Sequence, residues 1–225
     1  MRVAIAGAGG VGRSIAHELL DHDHEVMLIE RDPDKVDPSR VPQAEWLNAD
    51  AAELASLEEA RLQDCDVVIS ATGDDKVNLV VSLLAKTEFA VQRVVARINH
   101  PDNEWLFTEA WGVDVAVSTP RVMVALVEEA VSVGDLVRLM TFRKGAANLV
   151  EITLAEDTPW VGRPLREVPL PRETVLTAML RGERVITPTP DEPLEAGDEL
   201  LFITHADVED QLKGVLAPEG TAGLG

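Results

Sequence analysis

A chain of 225 residues, 46% of them hydrophobic and 27% charged, has the balance of a folded globular protein, which excludes a disordered or low-complexity chain. Its 40 acidic residues against 20 basic ones give a formal charge of −20; such a surface repels phosphate backbones and anionic headgroups, so neither nucleic-acid binding nor direct membrane adsorption is expected. The single cysteine, Cys65, cannot form an intramolecular disulfide, and no apolar run approaches the roughly 18 residues of a membrane span.

The amino terminus, Met1-Arg2-Val3-Ala4-Ile5-Ala6, enters a strand at once and leaves no room for a signal peptide, so a soluble cytoplasmic protein is expected. Strands are predicted at Val3 to Ala6, Val26 to Ile29, Val67 to Ile69, Val94 to Ile98 and Val113 to Val117. The first four are near-continuous apolar runs, the pattern of central strands in a parallel sheet buried on both faces. Between them Val11, Ile15 and Leu19, with Ala16 and Leu20, recur at helical spacing, as do Leu79, Leu83 and Leu84. Pro120 followed by Val122 to Val131 predicts a last helix, since proline is tolerated in a first turn. Strand–helix alternation of this kind specifies a Rossmann-like α/β fold, a doubly wound parallel sheet with right-handed crossovers.

The pattern changes near Val133-Gly134-Asp135. Strand-like segments follow at Leu136 to Phe142, Leu149 to Leu154, Thr174 to Leu180 and Leu200 to Thr204, punctuated by turns at Lys144-Gly145, Arg181-Gly182 and Ala196-Gly197-Asp198. The expectation is a second, smaller α+β domain, with boundaries at residues 1–133 and 134–217 and a frayed tail over 218–225.

Gly7-Ala8-Gly9-Gly10-Val11-Gly12 fits G-x-G-x-x-G, and it follows a buried strand and opens an amphipathic helix. In that context Gly7 permits the tight turn, Gly9 lets backbone approach a pyrophosphate, and Gly12 lets helix and strand pack closely. Amides at the helix start then face the phosphates, aided by the helix dipole. Glu30 ends the second predicted strand, where an acid accepts hydrogen bonds from an adenosine ribose; a solvated strand-end carboxylate is the other reading. An acid there disfavours a 2′-phosphate and hence NADP, an exclusion that Arg31 weakens slightly. Ala71-Thr72-Gly73 follows a strand at the carboxyl edge of the sheet, and Arg97 near another strand end can meet either a phosphate or a salt-bridge partner.

Catalytic signatures do not accompany this loop. The chain has no tyrosine, which removes the Tyr–Lys pair of short-chain dehydrogenases, and it has no G-x-S-x-G, Walker sequence or Cys/His ligand spacing. His22 and His24 sit in a polar connection, and Asn99-His100-Pro101-Asp102 reads as a turn, although His100 beside a cofactor is a conceivable acid or base. No catalytic residue and no metal site is therefore assigned.

The ordered series Val3 to Gly12, Glu30-Arg31-Asp32, Ala49-Asp50-Ala51, Ala71-Thr72-Gly73-Asp74-Asp75, Asn78 and Ala96-Arg97-Ile98-Asn99 resembles the Trk/Ktr potassium-transport regulators. In the second half, Gly162-Arg163-Pro164-Leu165 and Leu194 to Leu201 look like the same family, whose Rossmann-like RCK N-terminal domain precedes a small RCK C-terminal (TrkA-C) domain. The resemblance implies NAD(H) or ATP/ADP as a regulatory ligand with no chemistry on it. Gly7 to Gly12 would then hold phosphates and Glu30 the ribose, while Asp50 and Ala51 border the adenine. Ala71, Thr72, Gly73 and Asn78 belong to the cleft, and Arg97 meets a phosphate. It also implies a homo-oligomer, a dimer and then a tetrameric or octameric ring, that can include a second TrkA-like subunit and sits under an integral membrane potassium channel or transporter. Its second domain is similar to modules that bind a cyclic dinucleotide in some relatives. Two departures stand out: Ala49 replaces a glycine common before the aspartate, and Arg121 replaces an acid that some relatives use for an intersubunit cation, so no cation site is carried over. Val122 to Val127 is apolar beyond one face, which suits burial either against a second subunit or within its own domain. An NAD-dependent oxidoreductase and a regulator of a non-potassium transporter are the alternatives.

Overall fold

In the computed structural model, residues 1–131, 133–142 and 147–217 are described. The chain divides into two compact units, Met1–Arg121 and Val122–Gly225, whose boundary falls inside a helix. The first unit carries β1 (Arg2–Ala6), α1 (Gly10–Asp21), β2 (Glu25–Glu30), β3 (Glu45–Asn48), α2 (Leu54–Glu59), β4 (Val67–Ser70), α3 (Asp75–Thr87), β5 (Arg93–Ile98) and β6 (Val115–Ser118), followed by the start of α4 (Thr119–Val131). Its six strands run in the order β3-β2-β1-β4-β5-β6, every neighbouring pair parallel.

The two-faced burial of β1 explains its unbroken apolar run. Val3 and Ile5 join a core with Val26 and Leu28, while Ala4 and Ala6 point the other way into a core with Leu57, Val68, Val81 and Val94. With a side-chain period of two and helices on both faces, no position of a central strand is left for a polar residue. β3 and α2 were absent from the sequence-based expectation. β3 is a four-residue edge strand whose ends, Glu45 and Asn48, are exposed, and α2 has six residues with Leu57 as its buried anchor, so neither carries a full period. β6 starts at Val115 rather than Val113. Val113 instead packs beside Phe107, and its N–H closes a turn onto Thr108 with Gly112 at φ +76°.

The second unit holds β7 (Leu136–Thr141), β8 (Ala147–Thr153), β9 (Thr174–Arg181), β10 (Arg184–Ile186), β11 (Glu199–His205) and α5 (Glu209–Leu216). Its sheet is antiparallel throughout, in the order β10-β9-β11-β8-β7. Val150, Ile152, Met179, Leu200 and Phe202 form its core with Leu212 and Leu216 of α5. α5 and β10 were not foreseen: one is barely two turns, the other three residues reached through Gly182-Glu183 with Gly182 at φ +57°. The expected turn at Lys144-Gly145 and the expected frayed tail lie outside the described residues.

One ion cluster ties this sheet to its turns. Asp198, fully buried in the Gly197 turn, accepts from Arg181 Nε at 2.7 Å, Arg181 Nη2 at 2.9 Å and the Glu195 amide at 2.8 Å. Arg181 also meets Glu192, Glu195 and the Pro193 carbonyl, and its hydrogen bonds to Asp198 raise the guanidinium pKa further above its ordinary range.

Candidate functional site

β1 and β4 are adjacent in the sheet, yet the connections leaving them turn to opposite sides of it, which opens a crevice at the strands' carboxyl ends. A cavity of about 500 Å³ lies there. Gly7, Gly9, Gly10 and Val11 form one wall; Glu30 at the end of β2 with Arg31 after it, and Asp50 and Ala51 after β3, form one end. Ala71, Thr72 and Gly73 after β4, with Arg97 from β5, form the other. Three further sequence candidates support this lining without facing the cavity: Ala8, Gly12 and Asn78 are all buried.

The glycines divide their tasks. Gly7 has φ +100°, and a Cβ there would stand 2.9 Å from the Thr72 Cα; at Gly12 it would stand 1.9 Å from the Gly7 carbonyl oxygen. Those two allow the loop to form and the helix to close on it. Around Gly9 a Cβ would meet nothing within 4 Å, so the emptiness there is the room beside the loop. Gly9 is also the N-cap of α1 without a side-chain capping bond, and the first turn holds no acid, so its amides are open to an anion.

Glu30 is more than a strand-end carboxylate. Its Oε2 accepts from the Ala8 amide at 2.9 Å and its Oε1 from the Asp32 amide at 3.0 Å, which fixes the glycine loop to β2 while each oxygen keeps a second lone pair. Arg31 reaches Asp50 at 3.3 Å. Lys35 also lines the cavity, and it pairs with Asp32 at 3.2 Å.

The far wall is strapped by amides. Asn78 Oδ1 accepts from the Thr72 amide at 2.9 Å and the Thr72 hydroxyl at 2.7 Å, while its Nδ2 donates to the Arg97 carbonyl at 2.8 Å. One buried side chain thereby fixes the ends of β4 and β5 together. Arg97 donates from Nε to the Thr119 hydroxyl at 3.2 Å and has no carboxylate partner among the described residues, so the salt-bridge alternative is not what the structure contains.

Asp75, which sequence reasoning left without a role, anchors the next loop. This buried carboxylate accepts from the Asn99 amide at 2.6 Å, Asn99 Nδ2 at 2.9 Å, the His100 amide at 3.0 Å and Asn103 Nδ2 at 2.8 Å. Burial works against its charge, but the donors from Asn103, Asn99 and His100 prevail and hold its pKa below the ordinary value. A depressed folded-state pKa means the contribution is complete above the unfolded value near 4 and is lost as pH falls through the lower folded one. Asp75→Ala should therefore lower unfolding stability by about 2–4 kcal/mol at pH 7. Titration of urea midpoints from pH 6 down to pH 2 should show the parent losing part of that advantage below about pH 4. Parallel pH curves for parent and variant would contradict the assignment. The signal available in the sequence was the Asp74-Asp75 pair after Gly73; Ile29, Lys35, Asp74 and Val77 line the cavity without having been assigned a site role, and Ala49, noted above as a departure from the family pattern, lines it too.

Among the described residues, no group of three His, Cys, Asp or Glu side chains is placed to hold a metal, and no helix is long and apolar enough to cross a membrane. Cys65 is buried, and that burial pushes its thiol pKa up.

A parallel sheet in this order, with a glycine loop at its switch point and an acid closing β2, defines a Rossmann-type nucleotide-binding domain joined to a small antiparallel-sheet domain. The chain belongs to the TrkA family: the TrkA-N domain model matches residues 3–119 and the TrkA-C domain model residues 149–217. It is 61% identical to the Trk system potassium uptake protein TrkA of Mycobacterium tuberculosis over 97% of this chain and 99% of that one. The Trk system potassium uptake protein TrkA of Halomonas elongata is 31% identical over 89% of this chain, which spans 44% of that longer relative. Among solved structures, the GsuK channel bound to NAD superimposes with a TM-score of 0.67 at 15% identity, over 97% of this chain and 40% of that one. The AMP-bound carboxyl-terminal domain of Kef from Shewanella denitrificans gives 0.51 at 21% identity over 58% of this chain and 79% of that one. At such identities the structural likeness is one of fold.

Proposed function

We propose that this chain is the nucleotide-sensing regulatory subunit of a potassium uptake system, a cytoplasmic protein held at the inner face of the membrane by an integral channel or transporter subunit. The observation that carries the reading is the open glycine-loop crevice with Arg97 at its far end, in a chain whose two units both match TrkA domains. The chain is a regulator and not an enzyme, as its family is; neither an oxidoreductase nor a regulator of another ion is favoured. Its ligand is an adenine nucleotide, NAD(H) or ATP/ADP, with phosphates on the first turn of α1 and the ribose on Glu30. The functional division follows as a nucleotide domain over residues 1–133 and a regulatory domain over 134–217.

Oligomerisation is part of this proposal. Met123, Val124, Leu126 and Val127 on α4 are all exposed in the single chain, an apolar surface that pairing with a second copy would bury. The acidic surface favours a basic cytoplasmic loop of the transporter as the dock over lipid. Light scattering at micromolar concentration tests assembly: a dimer or larger ring is expected, and a strictly monomeric particle in every nucleotide would refute it.

Ligand choice should follow Glu30. Glu30→Gln keeps the shape but turns one of the two amide-accepting oxygens into an NH2 and loses the charge-assisted bonds to a ribose diol, which together should weaken NADH and ADP by about one to two decades, or roughly 1.5–3 kcal/mol. Calorimetric titration of parent and variant checks this, together with absorbance at 340 nm to confirm that NADH is held and not consumed. Equal affinity of the parent for NAD and NADP would overturn the ribose assignment.

A further inference from the structure

Arg97 faces two ways. It lines the crevice, and its Nε donates at 3.2 Å to the hydroxyl of Thr119, the first residue of α4. The remaining guanidinium nitrogens have no carboxylate among the described residues, whereas the other cations of the cavity, Arg31 and Lys35, are each engaged by an aspartate. Among the described residues Arg97 is thus the cavity cation that no carboxylate engages, and its backbone is immobilised by Asn78 through the 2.8 Å bond to the Arg97 carbonyl. With the backbone held, an anion in the crevice can act on this residue only through the side chain, and the side chain's other partner is Thr119.

We infer that Thr119 is a positioning residue which holds Arg97 toward the crevice and carries its occupancy into the first turn of α4. The inference rests on the nucleotide reading above and adds the route by which the ligand is sensed. A phosphate on the two Nη groups holds the guanidinium in one rotamer, and that rotamer keeps Nε on the Thr119 hydroxyl. Thr119 opens α4, the helix whose Met123, Val124, Leu126 and Val127 are exposed. Steadying its first turn therefore sets the presentation of an apolar surface. Arg121, two residues on, pairs with Glu104 of the Pro101–Leu106 turn, so a second bond ties the same turn of α4 to the loop after β5. Because coupling is reciprocal, whatever the ligand contributes to α4 is returned as affinity, within the range of about 5- to 150-fold usual for such links.

The test uses the full chain with ADP and, separately, NADH. Calorimetry reads affinity, and hydrogen exchange reads residues 121–127 of α4. In the parent, saturating nucleotide should slow exchange there about fivefold or more. Thr119→Val keeps the shape and removes the acceptor; it should still bind nucleotide saturably, but its α4 exchange should no longer respond. Thr119→Ser restores the hydroxyl and should restore the response. An undiminished response in Thr119→Val, or a loss in Thr119→Ser as complete as in the valine variant, overturns the relay while leaving the site assignment standing. A parent chain that binds neither ADP nor NADH overturns both.

Discussion

Arg181→Met should destabilise the second unit by about 3–5 kcal/mol, a large part of what holds a domain of this size together. The reason is Asp198. That carboxylate is fully buried, and Arg181 supplies two of its three donors at 2.7 and 2.9 Å. Methionine fills a similar volume but leaves a buried charge whose remaining donor is the Glu195 amide at 2.8 Å. The damage should come from the stranded partner more than from the lost pair, which makes the double variant informative. Arg181→Met with Asp198→Leu removes both charges and should recover a good part of the loss, because an ion pair replaced whole by apolar groups is often close to neutral. Urea unfolding followed by circular dichroism would measure both. A single variant within about 1 kcal/mol of the parent would mean that water already reaches Asp198.

The second large effect concerns binding without unfolding. Gly9→Leu should reduce ADP and NADH affinity by at least about 100-fold, or nearly 3 kcal/mol, with little change in melting temperature. No heavy atom lies within 4 Å of a Cβ at Gly9, and its backbone is in an extended conformation open to any residue, so the fold has no objection to a side chain there. The space it fills is the space beside the α1 amides. Gly12→Ala makes the contrast: its Cβ would lie 1.9 Å from the Gly7 oxygen, so the same motif loses its loop geometry and melting should fall as well. Titration calorimetry paired with thermal melts separates the two. Parent-like affinity in Gly9→Leu would remove the loop from the phosphate site.

The central strands and the glycine loop were legible because each is dictated by a local rule: two-faced burial in β1, and close approach at Gly7 and Gly12. β3, α2, β10 and α5 were not, because their lengths, three to eight residues, fall below a readable period and their place is set by tertiary contacts. Within the site, the residues that line the cavity came mostly from motif positions. The ones that hold the lining in place, Asp75 and Thr119, were missed because their partners lie 24 and 22 positions away. Asn78 was named only through the family resemblance, and its strapping of β4 to β5 is a structural finding.

The dual attachment of Glu30 bears on how such a protein can change over generations. The residue proposed to choose the ligand also fastens the glycine loop, through Ala8 on one oxygen and Asp32 on the other. A lineage drifting toward a 2′-phosphorylated ligand cannot simply exchange this acid for a small or basic residue, since the loop would come adrift with the same substitution. A viable path needs a compensating acceptor for the Ala8 amide first, and only then a cation at position 30 or a released Arg31. If Glu30 chooses the ligand as proposed, recognition and architecture are coupled at this one residue, and a designed switch would have to begin at the loop.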